Sequence, residues 1–494
     1  MANTIRLTAL DGSPVEFVDE PIGSGAMKEA FFTPDKKHVV CFFFQPQDTN
    51  TRERLKNIVG RYRQNIFEGE GGDYWKGLFC WPEKIVEWNG RLGIVTPAYD
   101  RTFYFTSGIM SGKEKEGKWF ASARLRTKFV PKDELGSWLT HFHMCIQMAR
   151  AVKRLHAAGL AHSDLSYKNV LVDPRTGRAA IIDCDGLVVP GKYPPDVVGT
   201  PDFIAPEVLQ TKALKLGDPN KKLPSILTDR HALAVLIYMY LLYRHPLRGG
   251  KVNDLDAAKD EELSMGAKAL FVEHPTDRSN RPKLSQLRPE ELPFGDVDKL
   301  PYTICGPLLK PLFDRAFIDG LHNPTMRPNA DEWVTALVRT TDLMQPCNNP
   351  SCRARWYVFD NTRSPRCPFC GTPYKGELPV IDLYYSPRQG SFKPEGYRLM
   401  VYSGQSLYRW HVNRFVSPNE KLSAEEKKPV GDFHLLNGRW ILINRRLSDL
   451  YEILPDGNNR PVAPGEYIEL TEGKKFLLSK EDGGRLALVT LANK

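Results

Sequence analysis

The sequence predicts an α+β chain in successive parts, and three observations carry that expectation. Short strand-like runs occupy about the first hundred residues. Helical periodicity dominates from residue 135 to residue 343. A cluster of four cysteines follows at 347–370, and the last hundred or so residues return to strand-like runs.

The first part reads as strands at 15–18, 30–32, 38–44, 84–87 and 93–95, with a helical stretch at 51–65 among them. Residues 102–133 are basic, polar and aromatic, the composition of a loop insertion. Apolar periodicity over 135–158 predicts a long helix ended by Gly159. From 160 to 343 the pattern is mostly helical between Gly/Pro loops. Residues 374–396 hold Pro and Gly and read as a connector, and strands are expected at 397–401, 440–443, 467–470, 476–478 and 486–490.

Composition narrows the function classes. The 494 residues are 41% hydrophobic and 26% charged, ordinary for a globular chain of about three domains. The longest apolar run, 232–243, is 12 residues, where a bilayer of about 30 Å needs about 20. The start, MANTIRLTALDG, lacks the apolar core of a signal peptide. A cytoplasmic chain without a membrane partner is expected. Sixty-eight Lys+Arg against 59 Asp+Glu give +9, with no run of five basic residues, so nucleic acid is not an indicated partner.

One segment carries chemistry. His162-Ser163-Asp164-Leu165-Ser166-Tyr167-Lys168-Asn169 follows a helix and precedes the strand-like Val170-Leu171-Val172. Ile181-Ile182 and then Asp183-Cys184-Asp185-Gly186 come next. Phosphoryl transfer needs such groups: one carboxylate to orient the attacking hydroxyl, and an amide oxygen and a second carboxylate to hold Mg²⁺ against phosphates. The pattern H-x-D-L-x-x-x-N resembles the protein-kinase catalytic loop. That resemblance implies a bilobal kinase-like fold, with Asp164 as base and Asn169 as a Mg²⁺ ligand. For the metal-binding Asp of the D-F-G element, Asp183 is preferred because it directly follows the apolar strand, and Asp185 is a second candidate ligand.

Other kinase-like elements follow in order. Gly199-Thr200-Pro201-Asp202-Phe203-Ile204-Ala205-Pro206-Glu207 is similar to the end of an activation segment. Thr228-Asp229-Arg230-His231 opens the most apolar helix. Asn323-Pro324-Thr325-Met326-Arg327-Pro328 resembles the late motif whose Arg pairs with the Glu of A-P-E, here Arg327 with Glu207. The small lobe departs from the pattern. Ile22-Gly23-Ser24-Gly25-Ala26-Met27-Lys28 resembles a Gly-rich phosphate loop with Lys28 where a third Gly is expected. Val39-Val40-Cys41-Phe42-Phe43 resembles the V-A-I-K strand with Cys41 in place of its Lys. Either the domain is a pseudokinase scaffold, or Lys28 supplies the ammonium from the neighbouring strand, as in the with-no-lysine kinases it resembles. On the second reading Ile22, Gly23, Gly25 and Lys28 would bind ATP. The helix acid paired with Lys28 would be Glu53, with Glu68 as the alternative. Ser163 replaces the Arg that clamps a phosphorylated loop, and Ser166 replaces a γ-phosphate Lys. The substrate hydroxyl is expected to be a protein Ser or Thr.

Cys347-x4-Cys352 and Cys367-x2-Cys370 supply four thiolates for one structural Zn²⁺, a zinc ribbon. The terminal segment around 440–478 resembles the second half of a forkhead-associated domain, which would bring a phosphopeptide partner. Arg409 and His411 are the candidates for reading the phosphate. The expected division is a kinase-like domain at 1–343 (lobes at 1–98 and 99–343), a zinc ribbon at 346–373, a connector at 374–396 and a β-sandwich at 397–494. The whole layout resembles bacterial stress- and tellurite-resistance-associated kinases that accompany a phosphatase and a von Willebrand A-type protein.

Overall fold

The computed structural model describes residues 3–69, 71–189, 192–193, 199–359, 364–388 and 391–493. Two compact units divide the chain. The first comprises Met1–Gly136, Thr140–Tyr302 and Lys310–Thr335; the second comprises Ser137–Leu139, Thr303–Leu309 and Ala336–Lys494.

Unit 1 begins with a hairpin, β1 (Thr4–Thr8) and β2 (Pro14–Val18). A five-stranded antiparallel sheet follows: β3 (Pro21–Ser24), β4 (Lys28–Phe32), β5 (His38–Phe43), β6 (Lys84–Trp88) and β7 (Arg91–Pro97), in spatial order β3-β4-β5-β7-β6. Side chains alternate across the sheet. Phe31, Val40, Phe42, Val86 and Val95 pack on Phe17 of the hairpin. Phe43, Ile85, Leu92 and Ile94 pack on Leu55 of helix α1 (Thr49–Asn57). Each buried Phe contributes about 2 kcal/mol. Asp48 caps α1 by accepting from Thr51 N at 2.7 Å, the bond an N-cap carboxylate makes. A π turn at Ile58–Tyr62 carries the helix on to Phe67, close to the expected 51–65.

The remainder of unit 1 is mostly helical. It contains α2 (Trp138–Ala157) from Thr140 onward, the hairpin β8 (Val170–Asp173) with β9 (Arg178–Ile181), and α3 (Ile226–Leu242). Every residue of α3 from His231 to Leu242 is buried. A helix enclosed on all faces needs no amphipathic period, so its sequence reads as one apolar run. Residues 102–133 are not a plain loop. They form short 3-10 turns and a helix, Ala123–Phe129. Lys115 is fully buried there, its ammonium 2.8 Å from both Glu134 and Asp173. Long-range ion pairs of this kind leave no periodic signature, which explains the difference.

Unit 2 starts with the pair β10 (Met344–Pro346) and β11 (Trp356–Val358). It continues through β12 (Leu378–Arg388), β13 (Ser391–Met400), β14 (Ser406–Leu407), β15 (Gly431–Leu436) and β16 (Arg439–Asn444), then β17 (Tyr451–Ile453), β18 (Asn459–Pro461), β19 (Tyr467–Glu469), β20 (Lys475–Leu477) and β21 (Arg485–Ala492). The order β13-β12-β21-β20-β17-β18 makes one sheet and β14-β15-β16-β19 the other. Ile381, Leu399, Phe476 and Val489 of the first share a core with Leu407, Phe433, Leu442 and Ile468 of the second, as in a β-sandwich. The expected connector at 374–396 is corrected: β12 pairs with both β13 and β21, and its Leu378, Val380, Ile381 and Leu383 are buried. Pro379 and Pro387 mask the strand in the sequence. Among the described residues, no helix is long and apolar enough to cross a membrane.

Candidate active site

The β8–β9 hairpin brings the two chemical motifs together. Its register sets Val170 opposite Ile181, so Asn169 meets Ile182, whose N–H donates to the Asn169 carbonyl at 3.0 Å. Asp183 is the next residue. Residues 14 positions apart thereby become neighbours.

The loop at 162–169 is held from several sides. His162 N–H donates to Asp229 Oδ2 on α3 at 2.7 Å, and His162 Nε2 lies 2.9 Å from the Ile182 carbonyl. Asp164 Oδ1 accepts from Thr200 N at 2.7 Å. Asp164 Oδ2 accepts from Asn169 Nδ2 at 3.0 Å, and the same amide reaches the Asp164 carbonyl at 2.8 Å. The Asn169 nitrogen is thus engaged, leaving its oxygen as the atom able to ligate a cation.

Lys28 joins this group from β4 of the five-stranded sheet. β4 pairs Lys28 with Phe43 and Ala30 with Cys41, so Lys28 and Cys41 are diagonal neighbours on one face. The Lys28 ammonium lies 2.9 Å from Asp183 Oδ1 and 2.8 Å from each Asp185 oxygen. Burial pulls the Lys28 pKa down, but Asp185 and then Asp183 outweigh it, so the ammonium stays protonated. Burial pushes the Cys41 thiol up to about 11, against the pull of Lys28. A neutral thiol therefore occupies the strand position where an ammonium was missed.

The expected acid partner of Lys28 is corrected. Glu53 is exposed and accepts from Tyr193 OH at 2.6 Å. Glu68 is exposed beyond the end of that helix. Asp185 and Asp183 stand closer in space and take the ammonium instead.

Gly23 and Gly25 line the loop above Lys28. Gly25 N–H donates to the Lys28 carbonyl at 2.8 Å, and Gly23 pairs with Ala30. A Cβ at Gly23 would meet nothing within 4 Å, and one at Gly25 only the Lys28 carbonyl at 3.9 Å. Packing does not demand these glycines, and the open face above them suits a phosphate chain. Ile22 is 47% exposed beside them. The residues therefore fit a nucleotide with its metal: loop amides and an ammonium for phosphates, and an amide oxygen and a carboxylate for the cation.

The pairing expected of Arg327 is made. Its Nη1 and Nη2 lie 2.9 and 2.8 Å from the Glu207 oxygens. Sequence reasoning missed Thr200 N–H and the Asp229 carboxylate as the groups that hold Asp164 and His162. A backbone donor has no residue signature, although Thr200 and Asp229 both lie inside the kinase-like segments 199–207 and 228–231.

In unit 2 the Cys347, Cys352, Cys367 and Cys370 sulfurs all lie within 4.8 Å of one another. Cys347 and Cys370 Sγ are 3.5 Å apart, and Cys352 and Cys367 Sγ 3.8 Å. Four sulfurs about 2.3 Å from a tetrahedral Zn²⁺ would be spaced by about 3.8 Å, so the donor set fits that ion. Cys352 and Cys367 also pack with Tyr357, Leu378 and Val380, placing the four-cysteine segment against β12. Of the two residues weighed for phosphate reading, Arg409 is exposed, whereas His411 is 2% exposed with Nε2 3.3 Å from Asp342 Oδ1.

Residues 102–317 match the family model of the protein kinase domain. The chain is similar to death-associated protein kinase dapk-1 of Caenorhabditis elegans, 36% identical over 107 residues, which are 21% of this chain and 7% of that protein. It is similar to serine/threonine-protein kinase PknD of Chlamydia pneumoniae, 29% identical over 147 residues, 26% of this chain and 14% of that protein. The matched stretches thus span only a small part of these relatives. Among solved structures, a Toxoplasma gondii rhoptry kinase aligns over 69% of this chain and 85% of its own, at 15% identity and a TM-score of 0.39. Residues 102–317 thus carry the match to a protein kinase domain, and the chain also holds a four-cysteine cluster and a β-rich region.

Proposed function

We propose that the chain is an ATP- and Mg²⁺-dependent protein kinase that transfers the γ-phosphoryl group to a protein Ser or Thr hydroxyl. The observation that carries this reading is the convergence of Lys28, the loop residues Asp164 and Asn169, and Asp183 from three separate stretches of chain. Bound Mg²⁺ would neutralise phosphate charge. Asn169 and Asp183 would hold it. Asp164 accepts two hydrogen bonds that fix its carboxylate, leaving it to orient the substrate hydroxyl and take its proton. Lys28, with the amides near Ile22, Gly23 and Gly25, would meet the phosphates. Ammonium and amide donors aimed at phosphate oxygens are the main source of catalysis in this chemistry.

A structural Zn²⁺ on the four cysteines would stabilise the ribbon against the sandwich. The sandwich would recruit partners, among them a phosphatase and a von Willebrand A-type protein, as the bacterial kinases with a similar layout do. Phosphopeptide reading there would rest on Arg409, because His411 is buried. A cytoplasmic location fits this set.

Transfer from labelled ATP with Mg²⁺, to the chain itself and to a generic protein, tests the kinase reading, with Asp183→Asn beside the wild type. Label in the wild type alone is expected. Nucleotide binding without transfer, unchanged by Asp164→Ala, would favour a pseudokinase scaffold, a reading motivated by Cys41 at the strand-lysine position.

A further inference from the structure

Asp183 and Asp185 both reach one ammonium, although they are two positions apart. In a straight strand such side chains would stand about 6–7 Å apart. Here Asp183 is left-handed, with φ 61° and ψ 39°, and the 3-10 turn Cys184–Gly186 follows at once. That bend gathers both acids under Lys28, while Cys184 between them is buried. Asp tolerates this backbone region better than most residues.

The two acids differ in what they offer. Asp185 accepts from Lys28 with both oxygens, and its side chain is 9% exposed. Asp183 accepts with Oδ1 alone, and its side chain is 52% exposed. A carboxylate with both oxygens on an ammonium and little open surface is poorly placed to bind an incoming hard cation. One with a second oxygen and half its surface open is well placed. The helix acid takes no part: Glu53 accepts from Tyr193 OH and lies 3.6 Å from Lys192.

Resting on the kinase reading above, we propose that Asp185 is a positioning residue that anchors Lys28 over the phosphate site, and that Asp183 alone of the two serves the metal. The placement of Lys28 is then set by the turn after β9 and not by helix α1. A shift of α1 would leave the ammonium where it is. Control of the site through that helix, by way of the lysine, is thereby removed.

Thermal unfolding of the full chain without nucleotide tests the anchor. Removing one partner of a buried pair leaves a charge without its counter-ion, whereas removing both restores balance. Lys28→Met is expected to lower the melting temperature of unit 1 by several degrees. Adding Asp185→Asn should restore most of that loss, adding Asp183→Asn little, and adding Glu53→Gln none. Equal rescue by Asp183→Asn, or rescue by Glu53→Gln, would overturn the anchor. Affinity for ATP with and without Mg²⁺ provides the second readout. Asp183→Asn should lose the enhancement by Mg²⁺. Asp185→Asn should keep it while binding about tenfold more weakly, as Lys28→Met does, the size of one lost charge-assisted hydrogen bond. Loss of the enhancement in Asp185→Asn would make it a metal ligand and sink the division of roles. If the wild type binds no nucleotide, the kinase reading falls, and the melting cycle still decides the anchor.

Discussion

Arg327 and Glu207, 120 residues apart, face each other in a two-pronged ion pair at 2.9 and 2.8 Å. The Arg327 side chain is wholly buried and also donates to the Gly320, Leu227 and Leu321 carbonyls. It ties the segment after Gly199 to the start of α3 and to the last loops of unit 1. Arg327→Met would leave Glu207 and three carbonyls without their donor. It should cost about 3–5 kcal/mol in denaturant unfolding. Glu207→Gln should cost less, since that side chain keeps 21% of its surface in water and the amide oxygen can still accept. Equal losses would mean the pair is not the unit that matters.

Lys28→Met should lower kcat/KM for phosphoryl transfer by about 10²–10³, the scale for losing one preorganised charge at a transition state. Lys36→Met and Lys37→Met, on the exposed turn before β5, should retain wild-type rates. Full activity in Lys28→Met would show that the phosphates find their positive charge elsewhere.

Asp164→Ala should reduce kcat by about 10²–10⁴ while leaving KM for ATP near its wild-type value, because the carboxylate is assigned to the hydroxyl and not to the nucleotide. The loop should stay folded: His162 remains held by Asp229 and the Ile182 carbonyl, neither of which involves Asp164. Steady-state kinetics beside circular dichroism separates a chemical loss from unfolding.

The elements best read from the sequence are those whose cause is local. The apolar run at 232–243 is a helix because every face is buried. The expected strand 84–87 appears with one residue added at its end and 440–443 with one added at each end, as alternation and β-branched content dictate. The late motif indicated the Arg327–Glu207 pair because two charged residues sat in recognisable surroundings. What escaped was set by distant contacts. The Glu53 expectation failed because distance in sequence from Lys28 says nothing of Asp185, 157 residues away and bent towards it by one left-handed residue. Strand β12 was hidden by two prolines, which a strand accommodates when its partners do not need that N–H. Lys115 looked like one more surface lysine, and only the fold brings Glu134 and Asp173 to it.

One Zn²⁺ per chain should be found by elemental analysis, and Cys367→Ser should abolish it, while Cys41→Ser leaves one ion bound. Cys367 is fully buried and packs with Leu378, Val380 and Met400, residues of β12 and β13. Stripping the metal should therefore lower the melting temperature of unit 2 as a whole and not merely fray the ribbon. A metal site supplies much of the folding energy where a short segment has little core of its own. Unchanged melting after complete removal would leave the cysteines as packing residues only.

The sandwich carries an acid-sensitive pair of its own. Glu395 Oε1 and Oε2 lie 2.7 and 2.6 Å from the Arg485 guanidinium, which is 2% exposed. Burial raises the Glu395 pKa, but Arg485 outweighs it, so the folded value lies below the ordinary 4.5. A carboxyl whose pKa is lowered on folding stabilises the folded state most fully above its unfolded pKa, and that stability is lost as pH falls through the folded value. Unit 2 should therefore keep the contribution of this pair at neutral pH and lose it progressively below about pH 4.5. Glu395→Gln should be less stable than wild type at pH 7, because Arg485 loses its counter-ion in a buried setting. The difference should shrink as both proteins are taken below pH 4, where the wild-type carboxyl takes up its proton. Urea unfolding of both at several pH values reads this directly. A gap that stays constant down to pH 3 would mean Glu395 acts through packing rather than charge.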